Sequence, residues 1–162
     1  AELFDQFLEE NHPQPDVFHL LKTSFSSLEE EKREFEMIAR VFEIKLLKEL
    51  GLLPRFTDCV GCGSELERKV YFSSRQGGVF CDRCYRKQKS GFLISQGCLQ
   101  AIRFISSSQD FSRAVHVRLG QQIRKELEQV TKQFIKVRLD HEIKSLRFID
   151  QVKQLLNKVS IR

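Results

Sequence analysis

Cys59-Val60-Gly61-Cys62 and, after eighteen intervening residues, Cys81-Asp82-Arg83-Cys84 decide how this chain folds. Two residues between paired cysteines allow a tight turn that presents both sulfurs to one tetrahedral ion, and two such pairs complete a four-thiolate shell. Gly61 and Gly63 free the first turn, and Gly77-Gly78 bring the chain back for the second. The expected occupant is one structural Zn²⁺ held by Cys59, Cys62, Cys81 and Cys84. Four thiolates leave no open coordination position for water, which argues against hydrolytic chemistry. The competing reading is a pair of redox dithiols, which would need one motif at a strand-to-helix junction of a βαβ unit. No such pattern surrounds either pair. Cys98, in Gly97-Cys98-Leu99, reads as a buried thiol. Whether the zinc unit is purely structural or also touches a ligand stays open at this point.

Around the cysteines, from Pro54 to Phe92, helical periodicity lapses and turn residues cluster. Lys69–Ser73 and Val79–Phe80 are expected as short strands. On the N-terminal side the pattern is helical. Ala1–Asn11 carries one short apolar face, and Asp16 is expected to cap a helix with Val17, Leu20, Leu21, Phe25 and Leu28 on its face. A third helix from about Glu30 presents Phe35, Ile38, Ala39, Phe42, Leu46, Leu47 and Leu50, with Gly51 placed to end it. After the insertion, Ser95 is expected to cap a helix bearing Leu99, Ile102 and Ile105. A long helix follows from about Val117 to Arg138, and a last one carries Ile143 to Leu156. The fold class expected is mainly α, a helical bundle with an inserted four-cysteine zinc ribbon that contains a short β-hairpin. Its organisation is residues 1–56 as N-terminal helices, 57–92 as the zinc insertion, and 93–162 as C-terminal helices packing against the first group.

Charge is distributed unevenly within the formal +5. Residues 1–50 contain six Lys or Arg against twelve Asp or Glu, whereas residues 113–162 contain twelve against five. The cations therefore gather where a polyanion could use them. Arg118, Lys125, Lys132 and Lys136 recur at spacings of seven, seven and four and share one broad helix face. With Lys144 and Arg147 they are the candidate DNA-binding residues, the plainer reading being a solvated face. The four histidines are scattered, and no phosphate loop or nucleophile elbow occurs, so no enzyme is expected. No run reaches the roughly 18 apolar residues of a membrane span, and no signal segment opens the chain, which reads as cytoplasmic.

The run Arg40-Val-Phe-Glu-Ile-Lys-Leu-Leu-Lys-Glu-Leu-Gly51, the knuckle Pro54-Arg-Phe-Thr-Asp-Cys59-Val-Gly-Cys62-Gly, the second knuckle Gly77-Gly-Val-Phe-Cys81-Asp-Arg-Cys84 and Glu142-Ile-Lys144-Ser145-Leu-Arg147-Phe together resemble the RecO family of bacterial recombination mediators. The resemblance covers about residues 35–150. Family members begin with an OB-fold barrel, so this chain is expected to be the C-terminal helical and zinc portion alone. The resemblance implies a non-enzymatic role: binding single- and double-stranded DNA, annealing strands, and helping RecA load with RecR. It also implies a receptor for the acidic, Phe-ended tail of single-stranded-DNA-binding protein (SSB). Arg40, Lys45 and Lys48 are the expected basic rim of that receptor, and Phe42 and Leu46 its walls. A zinc-ribbon scaffold that meets only proteins is the alternative.

Overall fold

The structure, a computed structural model, describes residues 15–30 and 34–138. Among them are six helices and three strands. Among the described residues, those up to Phe134 belong to one compact unit. The expected helices over 1–11 and 143–156 lie outside the described residues.

Helix α1 spans Pro15–Glu30 and α2 spans Phe35–Glu49. Proline is the first helical residue of α1, which moves Asp16 from the expected cap into the first turn. Its fixed φ and missing N–H suit that position, and the Asp carboxylate still faces the positive end of the helix dipole. Val17, Leu20 and Ser24 are buried, while Phe25 is 57% exposed. The inward stripe runs 17-20-24, so Phe25 turns away from the core instead of joining it.

Helix α2 is buried nearly all round, with Met37, Ile38, Val41, Ile44 and Leu47 beside the charged Arg40 and Glu43. A helix without a polar face is the centre of its bundle. It packs against α1, α4 (Gln96–Ser107) and α5 (Phe111–Val115). Its end is a Schellman motif: Leu52 N–H donates to Leu47 O at 2.7 Å and Gly51 N–H to Lys48 O at 2.9 Å. The motif needs a left-handed residue, and Gly51 supplies it at φ +67°.

Strands β1 (Val70–Ser73), β2 (Gly78–Cys81) and β3 (Phe92–Ile94) form an antiparallel sheet in the order β2-β1-β3. Val70, Phe72 and Ile94 are buried on its inner face. Phe72 is the hinge of the core: it stacks on Phe56 (centroids 5.7 Å apart) and meets Phe92 and Phe134 edge-on at 5.8 and 6.4 Å. Phe134 belongs to α6, Gln121–Arg138, which starts later than the sequence pattern indicates because residues 117–120 stay irregular up to Gly120. Short helix α3, Asp82–Gln88, continues directly from β2. The third strand, α3 and α5 go beyond the elements expected from sequence.

Candidate metal centre

Each cysteine pair is placed by a different local device. Gly63 N–H donates to Cys59 O at 2.7 Å and Cys59 N–H to Ser64 O at 2.9 Å, closing the first knuckle. Val60 N–H then bonds Val79 O at 2.9 Å, tying that knuckle to β2. Arg55 and Gly78 form a parallel bridge at the same point. The backbones approach so closely there that a Cβ on Gly78 would lie 2.5 Å from Val60 Cγ1 and 2.6 Å from Arg55 O. From the other side, Arg103 of α4 donates to Phe56 O at 2.8 Å and Thr57 O at 2.9 Å. Cys81 ends β2 as the residue before α3, and Cys84 sits in the first turn of that helix.

The result is a cluster in which the sulfurs of Cys59, Cys62, Cys81 and Cys84 all lie within 4.8 Å of one another. Cys62 and Cys81 sulfurs are 3.9 Å apart, and none of the four is in a disulfide. Metal–sulfur bonds of about 2.3 Å in a tetrahedron require sulfur–sulfur edges of roughly 3.8 Å, so the donor set fits a thiolate-bound divalent ion. The surroundings favour a thiolate at Cys62. Cys81 N–H points at Cys59 Sγ (3.3 Å), Ser64 Oγ lies 3.1 Å from Cys62 Sγ, and Arg83 Nη2 lies 3.9 Å from it. Hydrogen bonding from Ser64, then from Cys84 and Arg83, lowers the Cys62 pKa to about 5. Cys84 is pushed up to about 12, first by its hydrogen bond with Cys62 and then by burial. Arg83 reaches the Cys62 sulfur, while Arg86 pairs with Asp82. Cys98 lies in the core of α4, where burial raises its pKa to about 12.

The chain's sequence matches, over residues 1–147, the family described as Recombination protein O C terminal. The chain belongs to the RecO family. Among curated proteins, it is 34% identical over 156 residues to DNA repair protein RecO of Symbiobacterium thermophilum, covering 94% of this chain and 61% of that protein. DNA repair protein RecO of Acetivibrio thermocellus is 30% identical over 146 residues, 90% of this chain and 58% of that protein. In Enterococcus faecalis the corresponding figures are 27%, 98% and 60%. The chain therefore spans about three-fifths of the length of these RecO relatives.

The residues expected to receive an SSB tail separate by depth in this RecO-family fold. Arg40 is buried; its Nη2 pairs with Glu43 at 2.9 Å and its Nη1 donates to Thr131 Oγ1 at 2.9 Å. Leu46 is buried and Phe42 half-buried. Lys48 is exposed. Lys45 is largely covered, donates to Ser108 O, and lines a cleft of about 440 Å³ with Asp16, His19, Glu49 and Asp110. Burial first, and Lys48 second, lower its pKa. Of the expected DNA-binding residues, Arg118, Lys125 and Lys136 are exposed. Lys132 is half-buried and pairs with Glu128 at 3.0 Å, while Lys144 and Arg147 lie outside the described residues. No helix among the described residues is long and apolar enough to cross a membrane.

Proposed function

We propose that this chain is the helical and zinc-binding part of a non-enzymatic mediator of DNA repair and recombination, acting as RecO proteins of its family act. Family membership over nearly the whole chain is the observation that carries this reading. In it, Cys59, Cys62, Cys81 and Cys84 hold one Zn²⁺, which when bound cross-links the two knuckles and does no chemistry. The segments 1–56, 57–92 and 93–162 act as N-terminal helices, zinc insertion and C-terminal helices. Arg118, Lys125, Lys132, Lys136, Lys144 and Arg147 are the DNA-binding residues in this reading. RecR and RecA loading are the wider setting, and the cytoplasm is the compartment.

The SSB tail docks at the end of α2. Its terminal ring enters beside Phe42 and its carboxylate meets Lys45 and Lys48. Asp16, Glu49 and Asp110 around the cleft keep the tail's acidic residues outside, over Lys48. Arg40 and Leu46 act from beneath, as support for this wall.

Fluorescence anisotropy of a labelled single strand, titrated with the chain at several salt concentrations, tests the reading. Phosphate contacts predict a log–log slope of about −0.7 per ion released. Reversal of Lys125 and Lys136 to Glu should lower both affinity and slope. No binding at low salt would favour a scaffold that meets only proteins.

A further inference from the structure

Both tyrosines of the chain stand together, half-buried, over the cysteine cluster of the zinc insertion, and the chain has no tryptophan. Tyr71, in the middle strand β1, stacks on Tyr85 of α3 with centroids 3.6 Å apart and planes within 2°. Strand β1 sends Val70 and Phe72 inward and Tyr71 to the opposite side, and Lys69, just before the strand, lies near Asp82, to which Tyr71 Oη donates. Leu93 of edge strand β3 is directly opposite Tyr71 in the register, and it is 57% exposed although its neighbour Ile94 is buried. An apolar side chain that wet beside a stacked aromatic pair is unfinished surface.

The charge around it selects a partner. The insertion, residues 57–92, carries seven Lys or Arg against four acidic residues, with Asp82 among them standing at the tyrosine pair. That carboxylate is already engaged: it accepts from Tyr71 Oη at 3.1 Å and pairs with Arg86 at 2.5 Å. Lys69, Arg86, Lys87 and Lys89 are exposed. Stacking rings, an exposed aliphatic side chain and a cationic rim are the elements of a surface for unpaired bases, whose π-faces need aromatic or apolar support while their phosphates need cations. An acidic peptide would use the cations but not the rings. A duplex would hide its bases.

We propose that the Tyr71–Tyr85 stack and Leu93, rimmed by Lys69 and Arg86, form a binding site for single-stranded nucleic acid, separate from the α6 stripe. The proposal rests on the reading of the chain as a DNA-binding module. One titration separates the two, because tyrosine emission reports this site alone whereas anisotropy of a labelled strand reports binding anywhere. An oligothymidylate should raise anisotropy and quench tyrosine emission together, and the matching duplex should leave emission unchanged. Leu93→Ser and Lys69→Gln, both exposed positions, should keep their melting temperatures and zinc content yet weaken single-strand binding about tenfold as a pair. Tyr85→Leu should also weaken single-strand binding, with half the emission lost at the start and a lower melting temperature, because Tyr85 covers the cysteine cluster. Anisotropy rising with no change in emission, equal quenching by duplex, or unchanged affinity in Leu93→Ser/Lys69→Gln would each overturn the site while leaving DNA binding by the chain intact. No rise in anisotropy would remove both.

Discussion

Arg40 and Thr131, 91 residues apart, are joined in the interior by a 2.9 Å hydrogen bond from Nη1 to Oγ1. The same guanidinium pairs with Glu43, whose Oε2 has no hydrogen-bond partner among the described residues. Burial raises the Glu43 pKa and Arg40 opposes the rise. A buried pair of this kind is fragile to loss of one member, because the other charge is then stranded. Arg40→Met should destabilise the fold by about 3–5 kcal/mol, read as a lower urea midpoint. Arg40→Met with Glu43→Leu should recover most of that loss. Equal loss in the single and double variants would show that the packing of Arg40, not its charge, matters.

The four-cysteine cluster sits beneath Phe80, Val60, Tyr71 and Tyr85, with little other apolar cover of its own. Such a unit depends on its ion for folding. Cys59→Ser with Cys62→Ser, or a strong chelator added to the purified chain, should lower the melting temperature and release one zinc ion per chain. Unchanged melting in the chelator would refute a structural metal.

Glu126 of α6 caps α4 from across the core: its Oε2 accepts from Ser95 N at 2.9 Å and Ser95 Oγ at 2.6 Å. Ser95 Oγ in turn accepts from Cys98 N. Partial burial would raise the Glu126 pKa, but the bonds from Ser95 and Gln122 outweigh it and the net shift is downward. A depressed folded pKa gives stability that is full above the unfolded carboxylate range and fades as pH falls through the folded value. Glu126→Gln should therefore cost about 1–2 kcal/mol at neutral pH, and its difference from the parent should shrink in acid. A difference independent of pH would assign the effect to shape alone.

The cysteine knuckles, Ser95 as a cap, Gly51 as a stop and the two hairpin strands were legible because each rests on a local rule of spacing or backbone freedom. Strand β3 is three residues long, too short for alternation to show, and α5 is five. The depth of Arg40 was not legible either. A cation at helical spacing beside apolar residues reads as a rim, and only Glu43 and Thr131, brought in by tertiary packing, make burial tolerable. Phe25 misled in the opposite sense, since nothing in a single helix says which of two adjacent apolar stripes finds a neighbour.

Gly78 offers a last test, of how the first knuckle is held to the sheet. Its missing Cβ is what lets Arg55 and Val60 lie against β2, where Val79 N–H donates to Arg55 O at 3.1 Å and Val79 O accepts from Val60 N–H at 2.9 Å. Gly78→Ala would put a carbon 2.6 Å from the Arg55 carbonyl, and a backbone atom cannot turn aside as a side chain does. The strain falls between β2, which carries Cys81, and the segment carrying Cys59 and Cys62, so the two ligand pairs would shift relative to each other. Metal release to a chromogenic chelator should then quicken at least tenfold, the scale of about 1.4 kcal/mol, while the helical signal is retained. Gly51→Ala is the control: it is strained by its positive φ but has open space and no link to the knuckles, so it should lower stability without changing metal release. If both variants release metal at the parent rate, the bridge between Arg55 and Gly78 does not position the ligands.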